Sequence, residues 1–106
     1  MVTINLILLK ECLLSENVIW KKHVLQRLAE RRISQDAVLQ GLFDGLMIRE
    51  YPEDKPFASA LFLTFIENIP LHIVASLDEA GRTLHIITAY YPSLEWFEED
   101  YKTRKN

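Results

Sequence analysis

The sequence predicts an α+β fold in which N-terminal helices pack on a four-stranded, mainly antiparallel sheet that a C-terminal helix follows. Three observations lead to this class. Up to Gly45, apolar residues recur in stretches of helical length. Between Gly45 and Pro92, four short runs rich in β-branched and aromatic residues predict strands. After Pro92, the aromatic residues recur at an amphipathic, helix-like spacing. Helices followed by a meander of strands are typical of α+β proteins.

The N-terminal part predicts three helices. The segment from Ile4 to Leu14 is strongly apolar, and its length favours a helix over a strand although its periodicity is blurred. The segment from Lys21 to Arg32 is basic and is expected to bury one stripe, formed by Val24, Leu25 and Leu28. Ser34 is predicted to cap the third helix, which runs on to Gly45, a natural helix stop.

The four predicted strands are Leu46–Tyr51, Ser59–Ile66, Leu71–Leu77 and Thr83–Tyr90, and the final helix is predicted through Trp96, Phe97 and Tyr101. If Leu77 pairs with Thr83 in the last hairpin, His72 lies opposite Thr88. Because side chains alternate along a strand, His72, Thr88 and Tyr90 then share one face, and His85 lies on the opposite face. His85 is therefore interpreted as structural.

With 106 residues the chain is expected to form one domain, 1–106. An apolar fraction of 49% with 25% charged residues is typical of a soluble globular protein. No apolar stretch approaches membrane-spanning length, and the N-terminus lacks a basic leader with a cleavage site. A cytoplasmic location without membrane contact is therefore expected.

The sequence offers few means of holding a cofactor or a metal ion. Its single cysteine, Cys12, excludes an intrachain disulfide and makes a thiolate zinc site implausible. Three glycines form no phosphate-binding loop, and no His-x-x-x-His pair offers metal ligands. Neither a cofactor nor a metal is expected.

The most informative polar pattern lies on the second predicted helix. His23, Arg27 and Arg31 recur at steps of four, which keeps their side chains on one helix face. An imidazole can move protons near neutral pH, and guanidinium groups can hold a phosphate with two hydrogen bonds. The pattern suits chemistry on a phosphodiester, and the alternative is a solvated basic face. A net charge of -3 weakens a nucleic-acid interpretation, although basic residues concentrate in this helix.

These polar residues belong to an ordered set of short motifs: His23-x-x-x-Arg27-x-x-x-Arg31-x-Ile33-Ser34, Tyr51-Pro52-Glu53-Asp54, Leu71-His72-Ile73-Val74 and Ile86-Ile87-Thr88-Ala89-Tyr90-x-Pro92. From about Ile19 to Arg104, the set resembles a family of small bacterial proteins catalogued as a domain of unknown function and associated with zinc-finger antitoxins of the YgiT type. In layout the family is similar to the RelE, HigB, MqsR and BrnT toxins, which cut RNA. Two residues depart from the family pattern: Arg32 stands where glycine or asparagine is commoner, and Thr64 replaces a frequent glycine at the end of the second strand.

The resemblance implies a RelE-like toxin of a type II toxin–antitoxin pair, with RNA as substrate and a zinc-finger antitoxin as partner. The expected activity is metal-independent endoribonuclease cleavage, in which the ribose 2′-OH attacks the adjacent phosphate. Acid–base chemistry and anion stabilisation need proton-carrying and cationic groups. The expected catalytic residues are His23, Arg27, Arg31, His72 and Tyr90, and the expected substrate-binding residues are Lys22, Thr88 and Arg104.

The alternative hypothesis is a non-catalytic protein-binding module that shares the toxin fold. The acidic pI of about 5.6 favours it, since the basic helix face would then serve only a polar network. A housekeeping metabolic enzyme finds no support, because the sequence carries no cofactor motif. The sequence leaves the oligomeric state open.

Overall fold

The computed structural model describes residues 4–105 of the chain, so the ends of the predicted domain 1–106 lie outside the described residues. Within this range the helices are α1 (Leu6–Leu14), α2 (Lys22–Glu30) and α3 (Gln35–Asp44). The strands are β1 (Val18–Trp20), β2 (Leu46–Tyr51), β3 (Ser59–Ile66), β4 (Ile69–Asp78) and β5 (Thr83–Tyr90). The α+β composition, the three N-terminal helices and the four longer strands are confirmed.

The sheet itself differs from the prediction. Its five strands lie in the order β1-β5-β4-β3-β2, and β1 pairs with β5 in parallel while the other pairs are antiparallel. The prediction of a four-stranded, mainly antiparallel sheet was therefore wrong, because the sheet has five strands and is mixed. The missing strand, β1, has three residues, which is too short to produce a detectable alternation of polar and apolar residues.

The predicted C-terminal helix was also wrong, because no helix follows β5 in the described residues. Instead, Phe97 and Arg104 form an isolated antiparallel bridge, so the chain folds back on itself. The Asp100 carboxylate accepts hydrogen bonds from the backbone N–H groups of Lys102 and Thr103, at 2.9 Å each. Such local side-chain bonds compete with helical ones. They hold the pKa of Asp100 down, at about 2.

The ends of the helices follow from local chemistry. Asn5 caps α1 by accepting the Leu8 N–H at 3.0 Å, and the predicted cap Ser34 accepts the Ala37 N–H at 3.0 Å. At the end of α3, a Cβ on Gly45 would collide with the backbone carbonyl of Gly41. Gly45 therefore ends the helix as predicted, although its φ of -74° is not left-handed.

The hydrophobic core lies between the helices and one face of the sheet. α2 packs over β5 through Val24 and Leu28, whereas Leu25 of the predicted stripe is 37% exposed. α3 packs over β3 and β4, where Phe62 and Ile73 are buried. The opposite face of the sheet, here called the second face, consists of the alternate residues of each strand.

Cross-strand pairing divides the second face into three rows. The first row is Leu46, Leu63, His72 and Tyr90; the second is Arg49, Leu61, Val74 and Thr88; the third is Tyr51, Ser59, Ser76 and His85. Neighbouring rows are two residues, or about 7 Å, apart along β3 and β4, whereas the bulges in β2 and β5 separate two of the rows by three residues. The rows place every polar side chain of this face at a defined position.

The observed register corrects the predicted one. Leu77 pairs with Leu84 rather than Thr83, and a bulge between the Val74 and Ala75 pairs shifts the register again, so His72 pairs with Tyr90. His72, Thr88 and Tyr90 share a face as predicted. His85, however, pairs with Ser76 and lies on this same face, because the bulge adds one residue to β5 between Ile86 and Thr88 and so interrupts the alternation of its side chains.

Candidate functional site

His72 is buried at the centre of a polar network on the second face. Its side chain is 0% exposed, with Nδ1 at 3.2 Å from the Tyr90 hydroxyl and Nε2 at 2.6 Å from the Tyr101 carbonyl oxygen. A carbonyl oxygen can only accept, so Nε2 carries the proton and Nδ1 accepts from Tyr90. Burial lowers the pKa of His72 and so favours the neutral ring. The hydrogen bond to the Tyr101 carbonyl raises the pKa, but this effect is the smaller of the two.

The chain after β5 encloses His72. Phe97 lies edge-on against the imidazole, with ring centroids 4.6 Å apart, and the Tyr101 carbonyl closes its far side. Tyr101 has a left-handed φ of 57°, next to the turn that Asp100 stabilises. The irregular C-terminal segment therefore positions the acceptor that fixes the tautomer of His72.

Tyr90 connects the buried histidine to the surface. Burial raises the pKa of Tyr90, as does Tyr51, whereas the positive charges of Arg104 and Arg49 lower it. Arg49 and Tyr51 lie on β2, three strands from β5, whereas Arg104 lines a surface cleft together with Tyr90. A surface cleft of about 430 Å³ beside this network is lined in part by Tyr90, Trp96 and Arg104. We call this region the Tyr90 cleft.

Arg31 contacts the second face from the end of α2. Its guanidinium donates to the Ala89 carbonyl at 2.9 Å and to the Thr88 hydroxyl at 3.2 Å. β1 pairs with β5 only at Leu84–Ile86, so Arg31 takes the place of a strand partner beyond that point. It connects α2 to the strand that carries Tyr90.

The remaining residues of the basic helix lie apart from the Tyr90 cleft. Lys22 and Arg27 are exposed, and Arg27 forms an ion pair with Glu30 at 3.5 Å. His23 lines a different pocket, together with His85. Of the eight predicted site residues, the structure therefore brings together His72, Tyr90 and Arg104, and places Arg31 with Thr88 on the adjacent row.

Three contributors to the network were not anticipated: Arg49, Tyr51 and the Tyr101 carbonyl. Arg49 and Tyr51 alternate on β2, and that period of two was visible in the sequence. Relating them to Tyr90 required the strand order, since β2 and β5 lie at different positions in the sheet. No sequence signal identifies the Tyr101 carbonyl, because its position depends on an irregular turn.

Residues 20–91 match the family described as "Domain of unknown function (DUF4258)". No curated protein matches the chain, and neither does any solved structure.

Two further features bear on the kind of site. Across residues 4–105, no group of three His, Cys, Asp or Glu side chains is arranged to hold a metal ion. In the same range, no helix combines the length and the apolar character needed to cross a bilayer.

Proposed function

The chain belongs to the DUF4258 family, and we propose that it is a metal-independent endoribonuclease of the toxin type that acts at the Tyr90 cleft. The observation that carries this proposal is the hydrogen bond from the Tyr90 hydroxyl to the neutral, buried His72, beside Arg104 and Arg49. A proton acceptor behind a phenol, flanked by two cations, suits phosphodiester cleavage by a neighbouring hydroxyl.

The geometry at Tyr90 suggests how the 2′-OH is activated. Tyr90 gives its only proton to Nδ1 of His72, so the lone pairs of its oxygen remain free to accept one. As the 2′-oxygen forms its bond to phosphorus, its proton moves to Tyr90 and the proton of Tyr90 moves to His72. The Tyr101 carbonyl, 2.6 Å from Nε2, then stabilises the imidazolium.

The other half of the reaction needs cations and an acid. Arg104 and Arg49 would stabilise the extra negative charge on the phosphorane oxygens, where guanidinium groups offer two hydrogen bonds each. The bond from phosphorus to the 5′-oxygen breaks, and this oxygen takes a proton from solvent. The products are a 2′,3′-cyclic phosphate and a 5′-hydroxyl, and His72 returns its proton to solvent through Tyr90.

The direct test is cleavage of single-stranded RNA by the purified protein with chelator present. We expect ends with cyclic phosphate, and a loss of about 100- to 10,000-fold in rate for Tyr90→Phe, since one acid–base group contributes that much. Tyr91→Phe is the matched control within the same cleft, because Tyr91 also lines it but its hydroxyl donates to the Arg32 carbonyl and not to a histidine. Cleavage that depends on added magnesium, or equal rates for both variants, would contradict the mechanism.

A second candidate function is the non-catalytic protein-binding module. Exposed apolar side chains favour it, since Ile7 and Leu14 of α1 are 75% and 74% exposed. The neighbouring reading frame separates the two proposals at little cost. A small zinc-finger protein encoded beside this chain supports the toxin and would be its antitoxin partner, whereas its absence supports the binding module.

A further inference from the structure

A second pocket, separate from the Tyr90 cleft, carries a distinct set of polar groups. It has a volume of about 140 Å³ and lies where the end of β1, the start of α2 and the β4–β5 pair meet. Its polar lining is Lys21, His23, Ser76 and His85, and none of its described lining residues is acidic. No described residue lines both this pocket and the Tyr90 cleft. We call it the Ser76 pocket.

The N-terminus of α2 opens at the Ser76 pocket without a cap. Lys21 is the N-cap residue, and no side chain accepts a hydrogen bond from the first turn. The Lys21 carbonyl accepts the N–H groups of Val24 and Leu25, whereas those of Lys22 and His23 have no acceptor among the described residues. Free N–H groups and the helix dipole favour an anion at this end of a helix.

Ser76 gives independent evidence for a ligand. Its side chain is 94% buried (6% exposed), yet its hydroxyl forms no hydrogen bond with any described residue. Ser59, the residue that pairs with Ser76 on β3, differs from it, because the Ser59 hydroxyl donates to the Asp54 carboxylate. No described side-chain oxygen or nitrogen is both sealed from solvent and unpaired, so the Ser76 hydroxyl opens into the pocket, where it is free to donate to a bound group.

The two histidines complete the pocket from different elements. His23 is on the first turn of α2, and His85 pairs with Ser76 across the β4–β5 ladder. The His85 ring stacks on Phe57 with centroids 5.3 Å apart, which holds its orientation. The ring nitrogens of both histidines are free of hydrogen bonds to described residues. Imidazoles can donate to, and carry charge beside, an anionic oxygen near neutral pH.

We propose that the Ser76 pocket binds a phosphate group, either as inorganic phosphate or as the terminal phosphate of a nucleotide. The Ser76 hydroxyl, the histidine rings, the Lys21 ammonium and the free N–H groups of α2 supply donors from several directions, and no described carboxylate in the lining repels the anion. This assignment does not depend on RNA cleavage at the Tyr90 cleft, because the two sites share no residues.

The test is titration of the protein with inorganic phosphate while the histidine side chains are followed by NMR. The resonances of His23 and His85 are expected to shift and saturate, while the buried His72 stays unchanged and reports that the fold is intact. Ser76→Ala and His85→Phe should each weaken binding by about tenfold, since each removes a hydrogen bond to a charged group and His85→Phe keeps a ring that can stack on Phe57. Ser59→Ala is the matched control and should retain the affinity, because its hydroxyl is committed to Asp54.

Two further titrations separate the sources of the phosphate. Tighter binding of adenosine 5′-phosphate than of inorganic phosphate would identify a nucleotide site, and equal binding would identify a site for free phosphate. Adenosine without phosphate should not bind. The proposal is overturned if phosphate leaves His23 and His85 unshifted, if the Ser76 and His85 variants bind like the original protein, or if adenosine alone competes.

Discussion

At the scale of single residues, His72 links stability to proton binding. The folded protein keeps this imidazole neutral, because burial disfavours the charged ring and the Tyr101 carbonyl needs the proton on Nε2 only. The unfolded chain binds a proton near the ordinary pKa of about 6.5. The stability contributed by the lowered pKa is therefore fully present above that pH and is lost as the pH falls through the lowered, folded pKa.

Replacing His72 should reduce this pH dependence. We expect the free energy of unfolding to fall between about pH 7.5 and pH 5.5 in the original protein, by roughly 1.4 kcal/mol per unit of pKa depression. His72→Gln keeps a donor for Tyr101 and an acceptor for Tyr90, and should show a smaller fall. Urea denaturation at the two pH values measures how steeply the free energy of unfolding changes with pH in the original protein and in His72→Gln. His23→Gln, at an exposed position, is the control. A slope that is unchanged in His72→Gln would exclude His72 as its source.

At the scale of the elements, α2 ends in a conformation that favours glycine. Arg32 has a φ of 57°, its N–H donates to the Ala29 carbonyl at 3.1 Å, and the Ile33 N–H donates to the Leu28 carbonyl at 2.9 Å. These two bonds form a Schellman motif, in which the left-handed residue is usually glycine. Arg32 therefore lies at a position where a side chain costs backbone energy.

Arg32→Gly is expected to stabilise the protein by about 0.5–1 kcal/mol, because relief of the left-handed strain exceeds the added entropy of the unfolded chain. Gln26→Gly, at an exposed interior position of the same helix, should instead destabilise it by about 1 kcal/mol. Thermal unfolding of both variants tests whether Arg32→Gly raises the stability and Gln26→Gly lowers it. A loss of stability in Arg32→Gly would show that the Arg32 side chain contributes more than its backbone strain costs.

The packing of α3 on the sheet depends on Gly41. A Cβ at this position would lie 2.6 Å from Thr64 Cγ2 and 2.6 Å from Ile73 Cδ1. Gly41→Ala should destabilise the protein by about 1–2 kcal/mol, since overpacking outweighs the gain in helix propensity. The cost should fall in a Thr64→Ala background, which a double-mutant cycle measures. Additive effects would place the strain elsewhere.

At the scale of the whole molecule, the sequence was informative where patterns were long. The 3.6-residue and 2-residue periods identified α2, α3 and the four longer strands. Alternation along the last hairpin grouped His72 with Tyr90, although the register assumed for that hairpin was wrong. Features set by distant partners were not predictable from local patterns. β1 depends on the free edge of β5, the side of His85 depends on register, and the final segment follows its Asp100 turn rather than its aromatic spacing.

The proposed activity predicts an effect on the whole cell. Expressed without a partner, the protein should slow bacterial growth, because cleavage of messages would reduce protein synthesis. Tyr90→Phe should relieve the slowing while accumulating to the same level, and Tyr91→Phe should not. Growth rate and the amount of folded protein are the measurements. Normal growth with abundant folded original protein would favour the binding module.

The position of β5 in the sheet has a consequence for the order in which the protein is completed during synthesis. β5 is the last strand made, yet it lies between β1 and β4 and carries Tyr90, so the earlier strands cannot join into one sheet before it emerges from the ribosome. Tyr101 and Arg104 follow later still, and they complete the surroundings of His72 and Tyr90. A partly translated chain that has not reached Arg104 therefore lacks the complete surroundings of His72 and Tyr90.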